Sequence, residues 1–160
     1  ASSSCMPHPG GGKSVYKFRP WEMSDLDALW SWIKDDPDVV NRWNLGDVNS
    51  WEDLFTVVVR LLQLEQAELA MLRGIEQDDK TIGFVGAFPI LPNHAACVHA
   101  ILAPDKRGHG REVLVMAIAE AKALGLGPLS ASFRSNEVAL VKLAESLGFV
   151  EEWRYLTLRD

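Results

Sequence analysis

The residues best placed for chemistry lie in one stretch: Leu102-Ala103-Pro104-Asp105-Lys106-Arg107-Gly108-His109-Gly110-Arg111. A strand-like run, 95–102, leads into it, and a helix-like run, 111–124, leads out. Lys106, Arg107 and Arg111 bring positive charge, and Gly108 and Gly110 flank His109. The start of a helix leaves backbone N–H groups without intrahelical partners, and its dipole favours an anion. Glycine lets a backbone approach a phosphate closely and adopt positive φ. The spacing therefore predicts a pyrophosphate cradle, although the chain's net charge is −6. The bland alternative is a solvated basic turn.

Cys97 and His99 sit on the incoming strand, and residues two apart on a strand share a face. A histidine there has the ordinary pKa range of a general base. Cys97 could act as a nucleophile only with an activating base or cation. Against these roles stand a satisfied strand histidine and a buried structural cysteine. Glu68 and Glu76 are further candidate bases on a neighbouring strand. Trp30, Trp32, Trp43 and Trp51 gather in the N-terminal part. Trp30 reads as core, whereas Trp43 and Trp51 suit a substrate groove or a partner contact.

The elements that must position these groups follow from pattern. Ser14 to Trp21 reads as a strand, Ser24 as a helix cap, and Leu26, Leu29, Trp30 and Ile33 as a helical stripe. Ser50 caps a second helix with Leu54, Val57, Val58 and Leu61 facing inward. Three strands then follow, Glu68 to Gln77, Lys80 to Ile90 and Ala95 to Leu102, with Asp78-Asp79 as the first hairpin turn. After the basic stretch, Leu114, Ala117, Ile118 and Ala121 line a helix closed by Gly125. Leu129 to Arg134 is a short strand. A helix from Ser135 or Asn136 carries Leu140, Leu143, Ala144 and Leu147 and ends at Gly148. Phe149 to Leu158 is a last strand. The order gives one α/β domain, a mixed sheet with helices on its faces.

The 160 residues are enough for one domain with a real core. Residues 1–13 are Gly/Pro/Ser-rich and read as a flexible tail, with the domain spanning 14–160. Gly12-Lys13-Ser14 imitates a P-loop, but Pro7 stands where its first glycine belongs. No apolar run suggests a membrane span, and no apolar signal core opens the chain. Cys5 and Cys97 form neither a disulfide framework nor a metal cluster, which points to a reducing cytoplasm and no metal. The acidic balance argues against nucleic acid as a partner.

Several segments together resemble the GNAT superfamily of acyl-CoA N-acyltransferases. Phe18-Arg19-Pro20-Trp21 with Ser24-Asp25-Leu26-Asp27-Ala28-Leu29 resembles the opening strand and helix of the branch that acetylates ribosomal-protein N-termini. Asp36-Pro37-Asp38-Val39 resembles its first interhelical turn. Thr81-Ile82-Gly83-Phe84-Val85-Gly86 resembles its central hairpin strand, and Leu147-Gly148-Phe149-Val150-Glu151-Glu152 its C-terminal signature.

The resemblance implies a mostly antiparallel sheet splayed between strands 4 and 5, with four helices. It implies acetyl-CoA as cosubstrate and a protein N-terminus or small amine as acceptor. The cofactor residues it implies are Ile101, Leu102, Ala103, Lys106, Arg107, Gly108, His109, Gly110, Arg111 and Asn136, with strand amides around Ile101 to Ala103 stabilising the thioester oxygen. His99 and Cys97 are the candidate catalytic residues. The family's loop reads Arg/Gln-x-x-Gly-x-Gly/Ala. Here the pattern fits in neither register, and Glu112 or Asp105 falls at a key position. The loop is about two residues short of that pattern. Ala144 stands where many members carry a tyrosine that protonates the leaving thiolate. Three readings stay open: an amine acetyltransferase, a GNAT-fold binding module, and an acyl-CoA sensor. A protein partner or a second copy is also left open.

Overall fold

The computed structural model describes residues 15–35, 47–89, 96–133 and 137–151, together with 156 and 158. The expected tail, Cys5, Trp43 and Asn136 lie outside them. Among the described residues, ten elements are defined. They are β1 (Lys17–Pro20), α1 (Asp25–Ile33), α2 (Trp51–Gln66), β2 (Met71–Gln77), β3 (Lys80–Pro89), β4 (Ala96–Leu102), a 3-10 helix (Pro104–His109), α3 (Gly110–Ala123), β5 (Leu129–Ser130) and α4 (Val138–Ser146).

The five strands among the described residues form one sheet in the order β1-β2-β3-β4-β5. The first three pairings are antiparallel and β4–β5 is parallel. Asp78 and Asp79 have φ of 53° and 64°, the left-handed pair that a two-residue hairpin needs to match strand twist.

Each face of the sheet buries its own core. On one face α1 and α2 place Leu26, Leu29, Ile33, Leu54, Val58 and Leu61 against Leu72, Phe84, Phe88 and Ile101. On the other, α3 places Val113, Leu114, Ala117, Ile118 and Ala121 against Val85, Ala87, Val98 and Leu102. Alternate strand residues feed opposite cores because strand side chains alternate faces. At the start of α2, Ser50 Oγ accepts the N–H of Asp53 at 3.1 Å, as the capping pattern anticipates. Gly125 and Gly148 close their helices at positive φ, 75° and 98°.

Several expectations change. β2 starts at Met71, not Glu68, because the helical stripe of α2 runs on to Gln66. Glu68 instead lies in the connecting turn at φ 61°. Ser24 makes no side-chain cap; Asp25 Oδ2 accepts the Glu22 N–H at 2.8 Å in its place. Residues 149–151 are not in a strand, and most of the remaining expected last strand lies outside the described residues.

Candidate functional site

The site grows from a mismatch in strand length. β4 pairs with β5 at two positions only, Ala96↔Leu129 and Cys97↔Ser130. It then continues to Leu102 with β3 on one side and, among the described residues, no strand on the other. This is a splay between the fourth and fifth strands. Ala100 lies in the middle of that unpaired stretch. It is exposed on the α3 face although its strand is an inner one, so the helices leave a gap over it.

Backbone alternation decides which amides face the gap. Ala103 N–H donates to Ile82 O at 2.8 Å, toward β3. Ala96 N–H donates to Pro128 O at 2.9 Å, toward β5. Strand amides alternate sides, so Ile101 shares the β3 side with Ala103, while Ala100 and Leu102 turn theirs to the splay. Of the three residues expected to offer an oxyanion amide, Leu102 turns its N–H to the splay, and Ile101 and Ala103 turn theirs to β3.

The junction after β4 is wound more tightly than a glycine-rich loop. Pro104–His109 is a 3-10 helix that passes straight into α3, and Lys106 N–H closes back on Ala103 O at 2.8 Å. Proline at its first position pre-sets the turn. Gly110 is right-handed helical, φ −59° and ψ −32°, and neither it nor Gly108 adopts positive φ. The expected left-handed cradle is therefore absent. Yet a Cβ added at Gly108 or Gly110 would meet nothing within 4 Å. The fold itself does not require glycine at either position, and the space in front of both is open.

The basic side chains divide. Lys106 lines a cavity of about 300 Å³ with Asp78, Lys80, Ile82, Ala103 and Asp105, on the β3 side of the junction. The splay opens on the β5 side, so Lys106 is not brought to it. Arg111 is exposed in the first turn of α3, and Arg107 lies in the 3-10 helix between Lys106 and the open glycines.

His109 is half-buried, and its Nδ1 is hydrogen-bonded to the hydroxyl of Tyr16, just ahead of β1. The two rings meet edge to face, centroids 5.7 Å apart. Tyr16 is 5% exposed and part of the α3-side core. Sequence reading missed it, because the contact spans 93 residues and only the sheet order brings the ends together.

Cys97 and His99 fall on the α1/α2 side, in register with Phe88 and Gly86. The His99 ring stacks on Phe88 at 5.0 Å and 23°. Cys97 is buried, and its Sγ lies 4.0 Å from Ser132 Oγ. Burial pushes its thiol above the ordinary range, and hydrogen bonds from Ser130 and Ser132 only partly offset this. A thiol held protonated is a poor nucleophile. Glu76 is paired with Arg19 Nε at 2.9 Å. Trp51 stacks on Phe55 and donates from Nε1 to Asp27 Oδ1 at 3.0 Å, on the surface where α1 meets α2. Trp32 packs on Phe84 in the core. Among the described residues no three His, Cys, Asp or Glu side chains gather as a metal site, and no helix is long and apolar enough to cross a membrane.

The model of the acetyltransferase (GNAT) domain matches residues 17–150. The chain belongs to the GNAT acetyltransferase family. Solved structures share the fold of this GNAT chain. A spermidine N-acetyltransferase from Vibrio cholerae, in complex with CoA and spermine, is similar with a TM-score of 0.66 and 21% identity over 88% of this chain and 83% of that one. A ribosomal-protein-alanine N-acetyltransferase from Brucella melitensis gives 0.62 and 23% over 82% and 83%. A transcriptional regulator from Bacillus halodurans C-125 gives 0.59 and 15% over 91% and 99%. No curated protein sequence matches.

Proposed function

We propose that this GNAT chain transfers an acetyl group from acetyl-CoA to a primary amine by direct attack. One juxtaposition carries the reading. At the end of β4, the Leu102 amide faces a strand edge left unpaired by the described residues, and the next turn opens α3 with two glycines fronting free space. A long thioester arm with a pyrophosphate at its far end suits that pair of features.

Acetyl-CoA supplies the activated acyl carbonyl. The Leu102 N–H would donate to the carbonyl oxygen as negative charge develops there, a fixed dipole that needs no reorganisation. Gly108 and Gly110 allow close approach of the backbone, and Arg107 and Arg111 supply charge for phosphate. Asn136 keeps the cofactor role that the resemblance implies. His99 is the candidate for accepting the amine proton, from the α1/α2 side. The acceptor class is a protein N-terminus or a polyamine-like molecule. The net charge of −6 suits a cationic acceptor, and the neighbours include both a spermidine and a ribosomal-protein-alanine acetyltransferase.

A second reading is a GNAT-fold binding module without transfer. The 3-10 winding of the junction favours it, because a wound backbone offers fewer unspent N–H groups. A structural neighbour described as a transcriptional regulator is consistent with it.

The test is amine-dependent release of CoA thiol from acetyl-CoA. The panel covers spermidine, spermine and short peptides with free N-termini. Transfer predicts thiol release that requires both substrates. Acetyl-CoA binding with no release across the panel would favour the second reading.

A further inference from the structure

The chain around β5 serves the two faces of the sheet unequally. Leu129 and Phe133 pack against the α3-side core. Side chains alternate along an extended chain, so Ser130 and Ser132 take the other face. On that face β2, β3 and β4 supply Leu72, Phe84, Phe88 and Ile101 to the α1/α2 core. The two serines instead continue the polar end of β4. Ser130 pairs with Cys97 at the last β4–β5 position. Ser132 lies two residues past that pair, as His99 does on β4. The fork of the splay thus carries hydroxyls on one arm and a thiol and an imidazole on the other. Ser132 is exposed, and its Oγ lies 4.0 Å from the buried Cys97 Sγ. A serine oxygen has one hydrogen and two lone pairs. Whichever of the two atoms donates, Oγ keeps at least one lone pair for another donor.

We propose that Ser132 is a specificity-determining residue that seats a primary amine at this fork, with Cys97 as its positioning residue, an inference that rests on the transfer reading above. A neutral primary amine carries two hydrogens and one lone pair. The lone pair forms the new C–N bond as the thioester C–S bond breaks. One amine hydrogen leaves as a proton, CoA takes one up as its thiol, and the other hydrogen stays in the amide. That retained hydrogen is the one Ser132 Oγ holds from approach to product. A secondary amine has a single hydrogen and must lose it, and so must an alcohol. The seat therefore favours primary amines over both. Cys97 is buried and fixed on β4, so its contact keeps the Ser132 hydroxyl turned to the fork.

The experiment measures CoA thiol release with the best amine of the panel above and with its N-methyl analogue. It compares the wild-type chain, Ser132→Ala, Cys97→Ala and the double variant, each with its acetyl-CoA Kd by calorimetry and its unfolding midpoint. Ser132→Ala should lower kcat/KM for the primary amine roughly three- to tenfold, the worth of one neutral hydrogen bond. The wild-type preference for the primary amine over its analogue should narrow accordingly. The acetyl-CoA Kd and the midpoint should stay as they are, since Ser132 is exposed. Cys97→Ala should cost less, and nothing further once Ser132 is gone. An unchanged kcat/KM in Ser132→Ala, an equal fall for the N-methyl analogue, or weaker acetyl-CoA binding would overturn the seat while leaving the transfer reading intact. An added loss in the double variant would overturn the part given to Cys97. If the wild-type chain releases no thiol with any amine, the transfer reading fails and takes the seat with it. Should Cys97→Ala not fold, Ser132→Ala decides the proposal by itself.

Discussion

The amide of Ala103 donates to the carbonyl of Ile82 at 2.8 Å, and that bond fixes the direction of the amides before it on β4. Leu102, one residue earlier, must turn its N–H away from β3 and into the splay. Replacing Leu102 by proline removes that N–H without costing a β3 ladder bond, since proline is tolerated where the missing donor faces no strand. The variant should fold with reduced stability, because the Leu102 side chain is buried. Its turnover should fall by about a hundredfold or more, the usual cost of an oxyanion donor. Ile101→Pro, which deletes a ladder donor, should unfold the sheet edge instead. Circular dichroism with steady-state kinetics separates the two.

Gly110→Ala should split stability from binding. Gly110 is helical and a Cβ there meets nothing. Alanine should therefore stabilise the fold by about 0.5 kcal/mol through the unfolded chain's entropy. The same methyl group intrudes on the space in front of α3. Acetyl-CoA affinity should drop by about tenfold, or about 1.4 kcal/mol. A raised denaturation midpoint with weaker binding is the expected pair of results.

Arg19 ties four elements together. Its guanidinium holds Asp25 through two bonds of 2.7 and 2.8 Å, Glu76 at 2.9 Å and Thr81 at 2.6 Å. Gly74 leaves the room, since a Cβ there would lie 2.6 Å from Nη1. Both Arg19 and Asp25 side chains are largely buried. Asp25→Ala removes two charge-assisted bonds and leaves Glu76 as the partner of the cation, so it should cost about 1.5–3 kcal/mol. That is a large share of a domain's typical stability of about 5–15 kcal/mol. A urea unfolding curve gives the answer directly.

Much of this fold was legible because its signals are local. The stripe Leu54-Val57-Val58-Leu61 buries as its spacing predicts, and Asp78-Asp79 turns the hairpin. The site was legible only to the level of a segment. Which amide faces the splay depends on pairing parity with β3, and a run of apolar strand residues does not record parity. The winding of Pro104–His109 was missed because glycine permits positive φ without requiring it. Tyr16 was missed because its partner lies on the far side of the sequence, and Glu68 because the α2 stripe outruns the change of period.

Cys97 gives a pH prediction with a definite sign. Burial raises its folded-state pKa above the unfolded value of about 8.5. Below that value both states hold the proton and nothing changes. Above it the unfolded chain releases its proton first, so stability falls as pH rises. Cys97→Ala should flatten the decline that sets in above about pH 8.5. In the native wild-type chain at pH 7, iodoacetamide should leave Cys97 unmodified.

Calorimetric titration of the wild-type chain with acetyl-CoA tests the central claim most directly. The splay beside Leu102 and the open glycines at the start of α3 predict saturable binding at a micromolar Kd, about −8 kcal/mol. Absence of binding at millimolar acetyl-CoA would contradict the account, leaving a GNAT fold that has given up its cosubstrate.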